Sequence, residues 1–264
     1  MSNKRWLILP VFLVGLFSLS CSNGGGPSGP ETPMEIPEEE AIAMIPDIIN
    51  EMSFWISEGL FFADFGPGNR DSEEPVWNGS AWEWTWTDSW SEGGESMSMT
   101  YSFWLQYLNA AGTPIEDYSE ADSYHLIVGS SMSFAGSEGN FEYLYDYDFQ
   151  FTGLQSDTAN MAGLCEMSMD EESPDGDFYF EMSWYTKTGG VDIPRADGSC
   201  PSGGMVWEFT PYELHMDFND PAGFVSYTLW EGSTEVISGL IEQICDLLKL
   251  PAPEGAGRFV PVLR

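Results

Sequence analysis

The chain has 264 residues, with 8 Lys and Arg against 43 Asp and Glu, a formal net charge of -35 and a pI near 4.1. A sequence without a basic cluster cannot neutralise a row of phosphates, which excludes a nucleic-acid binder and adsorption to an anionic bilayer by charge. Hydrophobic residues at 42% and aromatics at 15% exclude wholesale disorder and are enough for one sizeable core.

Residues 1–20 read as an export signal. Lys4 and Arg5 are a short positive start, and Leu7 to Leu19 is an apolar stretch broken by Pro10 and Gly15. It is too short to span a bilayer, which takes about 20 apolar residues, and has the dimensions of a secretory h-region. Ser18-Leu19-Ser20-Cys21 follows, and then Gly, Ser and Pro. This arrangement resembles a bacterial lipoprotein signal, in which a small residue precedes a lipidated Cys. Ser18 stands where such signals usually carry an aliphatic residue. The resemblance covers about 21 residues and implies lipidation at Cys21, a mature N-terminus there, and membrane attachment through lipid. Ser22 in place of Asp is similar to the pattern that sorts to an outer membrane. Residues 21–37 are the expected tether, rich in Gly, Ser, Pro and Glu.

Residues 38–264 are expected to form a single β-rich domain with a helix at each end. The first helix is predicted over 38–57, where Ala41, Ile42, Ile45, Ile48, Ile49, Met52 and Ile56 recur at helical spacing. Glu38, Glu39 and Glu40 suit its first turn, and Pro46 predicts a kink or a split into two helices. From about Val76 to Trp230 the period becomes two. Trp82, Trp84 and Trp86 alternate with Glu83 and Thr85, and Met97 to Tyr107 repeats the pattern with Ser and Thr. Tyr143, Tyr145, Tyr147, Phe149 and Phe151 are the clearest run. Gly93-Gly94, Pro174-Asp175-Gly176, Gly189-Gly190 and Asn219 to Gly223 read as tight turns, which join antiparallel neighbours. The pattern predicts about eight to ten strands in a single antiparallel, strongly curved sheet, or a barrel or sandwich. A second helix is predicted over 234–250, with Val236, Ile237, Leu240, Ile241, Ile244, Leu247 and Leu248 on one face. One edge strand is predicted at 259–263.

Cys165, Cys200 and Cys245 allow three pairings. We take Cys165–Cys200 as the expected disulfide, closing a loop of about 36 residues, with Cys245 as a buried thiol on the last helix. No close Cys/His spacing suggests zinc.

Signs of catalysis are few. His125 and His215 both fall in strands, the Gly-x-Ser-x-Gly elbow is absent, and no phosphate or dinucleotide loop occurs. We expect a non-enzymatic protein. Calcium is the one cofactor the composition accommodates. Its candidate ligands are Asp170, Asp175 and Asp177, which a solvated acidic hairpin turn explains better. No acidic run exceeds three residues, so the charge belongs to the surface and marks no interaction tail.

The 11 Trp, 11 Tyr, 17 Phe and 13 Met define the remaining readings. Trp82, Trp84, Trp86, Tyr143, Tyr145 and Tyr147 are the candidate ligand-binding residues. On one face of a curved sheet such residues most simply pack an ordinary core of large side chains; they can also line an apolar cavity, as in lipoprotein carriers and other lipid-handling envelope proteins, an analogy at the level of fold alone. A second reading is a glycan-binding module, which predicts exposed coplanar Trp or Tyr rings. The most general expectation is an envelope protein with a binding or structural role.

Overall fold

A computed structural model describes residues 36–64, 75–136, 139–173, 176–194, 199–243 and 245. The expected export signal, Cys21, most of the expected tether and the strand expected at 259–263 lie outside the described residues. Helix α1 spans Glu38–Asp64. The strands are β1 (Val76–Trp77), β2 (Trp82–Glu92), β3 (Glu95–Leu108), β4 (Pro114–Ile115), β5 (Ser123–Gly136), β6 (Gly139–Thr152), β7 (Thr158–Ser173), β8 (Gly176–Pro194), β9 (Ser202–Phe209), β10 (Tyr212–Phe218), β11 (Phe224–Glu231) and β12 (Thr234–Glu242). They make one antiparallel sheet in sequence order, apart from the short β4, which pairs with β3 off the main path. The sheet is a meander and stays open. It is neither a closed barrel nor a sandwich.

One face of the sheet is apolar and the other polar, as period-two alternation requires. Inner-face residues from β3 to β12 share one core with Ala41, Ile45, Ile48, Ile49, Met52 and Ile56 of α1. A flat sheet of eleven strands would be about 50 Å wide, against about 10–12 Å for a helix. The sheet must therefore curl around α1 for its distant strands to join that core.

The helix is longer than predicted and runs through Pro46 without a break. Pro46 is exposed while Ile45, Ile48 and Ile49 on either side are buried. The backbone bond lost to proline thus falls on the solvent side, and the buried face holds the helix together.

Three further expectations are corrected. The predicted C-terminal helix is a strand over Thr234–Glu242, paired with β11. Gly232, with φ of 57°, turns the chain tightly after Glu231, and β-branched Val236, Ile237 and Ile241 suit a strand. A helix would have placed Gly239 mid-turn, at a cost of about 1 kcal/mol. In the strand, Gly239 leaves room for the Tyr227 ring opposite, whose hydroxyl a Cβ would hit. Second, Gly189-Gly190 is a bulge inside the 19-residue β8, not a turn. Both glycines have positive φ, and the Asn160 amide clamps the bulge by donating to the Gly189 carbonyl at 2.9 Å and to Asp192 at 2.8 Å. Third, the disulfide joins Cys200 to Cys245, with Cα atoms 4.8 Å apart, and Cys165 is a buried thiol on the inner face of β7. Cys200 precedes β9 and Cys245 follows β12, so the bond clips the last four strands into one unit. Among the described residues there are twelve strands, two of them only two residues long.

Candidate ligand-binding trough

Cross-strand register arranges the inner face into transverse rows. The deepest are Tyr107–Tyr124–Phe151–Met161 and Leu105–Leu126–Phe149–Gly163. These side chains are almost fully buried, and Tyr124 stacks on Phe151 at 4.7 Å. A Cβ on Gly163 would collide with the Phe149 ring and the Asp148 carbonyl, so glycine is required for that ring to lie flat on β7. Helix α1 shares one core with these residues. The carrier reading expects an enclosed cavity, but here the corresponding surface is packed.

Along β2, β3 and β5 the face is less covered, although Met99 and Tyr143 nearer the hairpin tips are buried. Trp82, Trp84 and Trp86 on β2 stay half-buried, as do Tyr101, Phe103, Val128, Met132, Phe141 and Tyr145 on its neighbours, while Trp90 is 43% exposed. Trp84 lies on Phe103 at 4.5 Å with their planes 4° apart, and Trp86 meets Tyr101 at 5.7 Å. The sequence-predicted Trp82, Trp84, Trp86, Tyr143, Tyr145 and Tyr147 therefore all share the inner face. Tyr143 and Tyr147 are buried, Trp84, Trp86 and Tyr145 are half-buried, and half-buried Trp82 stands beside Leu105 at the end of a packed row.

One row on this face is chemically distinct. Tyr101, Ser130 and Tyr145 stand directly opposite one another on β3, β5 and β6. Burial raises the Tyr101 pKa, an effect that the Ser130 hydroxyl beside it partly offsets. Burial also pushes Tyr145 well above the ordinary tyrosine value, with Cys165, Tyr147 and Tyr143 adding to the effect. Both phenols stay protonated and neutral. Cys165 is also raised, chiefly by burial, and is an inert thiol. Sequence alone does not single out Ser130, because a Ser in an alternating strand looks like an outward residue.

Polar chemistry dominates the outer face. A concavity of about 680 Å³ lies at the hairpin tips, lined by outer-face Ser96, Ser98, Ser133, Asn140, Glu142, Asp170 and Glu172 and also by Trp90, Met97, Phe134 and Phe141. Ser98 and Ser133 share a hydrogen bond of 2.7 Å, and the Asn140 amide donates to Glu172 at 3.0 Å. Of the calcium candidates, Asp170 lines this concavity, Asp175 lies outside the described residues, and the side chain of Asp177 is likewise not described. Among the described residues no three His, Cys, Asp or Glu side chains are arranged to hold a metal ion.

Both histidines are on the outer face. His125 is 2.6 Å from Asp148 with Trp104 edge-on to its ring, and His215 is 3.2 Å from Glu213. Each has a carboxylate partner and stands on an exposed or half-exposed strand surface. Lys187, the one Lys or Arg among the described residues, makes two bonds to Asp217 at 2.8 and 2.9 Å.

No protein-family model, no curated protein and no solved structure matches the chain.

Proposed function

We propose that this is an exported, lipid-anchored, non-enzymatic envelope protein that binds an apolar ligand in the trough. One observation carries the reading. The inner face is a continuous aromatic and methionine surface that shares its core with α1, and along β2, β3, β5 and β6 Trp84, Trp86, Tyr101, Met132 and Tyr145 on it stay only half-buried. Apolar surface left partly exposed is unfavourable in water and marks a binding groove. Methionine and aromatic rings adapt to ligands of varied shape. Export and anchoring rest on the signal-like first 20 residues and Cys21.

The test uses the 11 tryptophans as reporters. Titration of the full chain with an acyl chain carrying bromine, a short-range quencher, is expected to quench a saturable fraction of the fluorescence. Trp84→Leu and Trp86→Leu should each remove part of that fraction. No quenching up to the solubility limit of the probe overturns the reading. For the anchor, incorporation of labelled fatty acid that is lost in Cys21→Ser is the expected result, and an unlabelled native chain refutes it.

A second reading, glycan capture, draws on the exposed Trp90. It expects a signal on a glycan array that Trp90→Ala abolishes.

A further inference from the structure

The apolar-ligand reading leaves open which lipids the trough takes, and the charge of its lining narrows the choice. By strand alternation, no Lys, Arg or His falls on the inner face among the described residues. His125, His215 and Lys187 all belong to the outer face. The charged side chains that do reach the inner face of β2 and β7 are acidic. Asp88 stands opposite Met99, and Glu171 stands between Phe141 and Phe178. An anionic headgroup entering here would lose its hydration, gain no cationic partner and meet carboxylates, three effects of the same sign.

The row Tyr101, Ser130, Tyr145 supplies the opposite chemistry. Three neutral hydroxyl-bearing side chains lie side by side on adjacent strands, Tyr101 and Tyr145 half-buried, with Tyr101 hydrogen-bonded to Ser130 and Tyr145 to Cys165. Ser130 is 8% exposed, a buried polar residue amid aromatic ones. Phenol and serine hydroxyls donate to carbonyl oxygens and accept from hydroxyls without requiring charge on either side. A buried carbonyl that finds such a donor loses little on leaving water, whereas a carboxylate would still lack a counter-charge.

Resting on the trough as the binding site, we infer that it selects an electroneutral lipid whose polar group is an ester or hydroxyl over a free fatty acid or an anionic phospholipid, with Tyr101, Ser130 and Tyr145 meeting that polar group. The acyl chain then lies over Met132, Trp84 and Trp86.

The experiment compares 9,10-dibromostearate with its methyl ester at pH 8.5, using quenching of tryptophan fluorescence in the full chain. The two probes share one acyl chain and differ in the charge of the polar end. The ester is expected to half-saturate at a concentration lower by about tenfold or more. Tyr101→Phe and Tyr145→Phe, which keep the rings and so the packing, are expected to weaken ester binding and leave acid binding unchanged. Near-UV circular dichroism checks that both variants fold. Equal or tighter binding of the acid overturns the inference while the trough stands as a lipid site. Ester preference that both tyrosine variants retain overturns the assignment of the hydroxyl row. Binding of neither probe brings down the trough reading itself.

Discussion

Gln243, 7% exposed, ties three pieces of backbone together at one end of the sheet, two through its side-chain amide and one through its backbone N–H. Its side-chain carbonyl accepts from the Asn219 N–H at 2.9 Å, its side-chain NH₂ donates to the Pro201 carbonyl at 3.2 Å, and its backbone N–H donates to the Gly223 carbonyl at 2.9 Å. Asn219 holds φ at 58°, and its side chain accepts from the Gly223 N–H at 2.8 Å, which helps keep the chain in that left-handed turn. Gln243→Ala leaves buried groups without partners and should cost about 2–3 kcal/mol in urea unfolding. Deep in the trough, burial holds the Cys165 thiol and the Tyr147 hydroxyl above their ordinary values of 9.0 and 10.0. Below those values both folded and unfolded chains keep the protons, and the stabilisation is undiminished. Above them the unfolded chain releases protons that the folded chain retains, so stability falls by about 1.4 kcal/mol per group for each pH unit. Urea midpoints should therefore drop between pH 8 and pH 11, and Tyr147→Phe should flatten that drop. A midpoint that holds steady across this range would contradict the burial of both groups.

At the scale of elements, the strands that sequence reveals most clearly are those with one wet face. β2, β3 and β6 alternate aromatic with Ser, Thr, Asp or Glu because their outer residues face solvent. β12 was not legible in the same way. Val236, Ile237, Leu240 and Ile241 fit a helical stripe as well as a bulged strand, and the bulge at Leu229/Trp230 shifts their register. What decides is the unpaired edge of β11, a tertiary fact. The trough's six predicted aromatics were legible because alternation alone assigns them to a face. The row of Tyr101, Ser130 and Tyr145 was not, since it exists only through register across three strands. Nor can spacing choose among cysteine pairings that depend on where β12 ends. The Cys200–Cys245 bond spans 45 residues of sequence and holds β9 to β12 as one unit. Its removal by Cys200→Ser with Cys245→Ser should cost about 2–4 kcal/mol, read as a lower melting temperature that reductant reproduces in the native chain.

For the whole molecule, charge is a standing liability. Carboxylates stand directly opposite each other in the ladder at Glu142/Asp170, Asp146/Glu166 and Glu208/Glu213, pairings that oppose folding. Lys187 is the one Lys or Arg among the described residues to set against them. Stability should consequently rise with salt, by about 1–3 kcal/mol between low ionic strength and 1 M NaCl, where the screening length shrinks to about 3 Å. A urea midpoint that is flat or falling across that range would mean these carboxylates do not feel one another. The open meander has a different consequence, for how the chain finds its structure. Along the main path every strand pairs with a strand next to it in sequence, and no closing pair links the first strand to the last. Each pairing then costs only a short loop, and the search that slows most all-β chains reduces to a series of hairpins added one at a time. The curling of that ribbon around α1 is the one distant rendezvous among the described elements, and the step at which folding becomes cooperative.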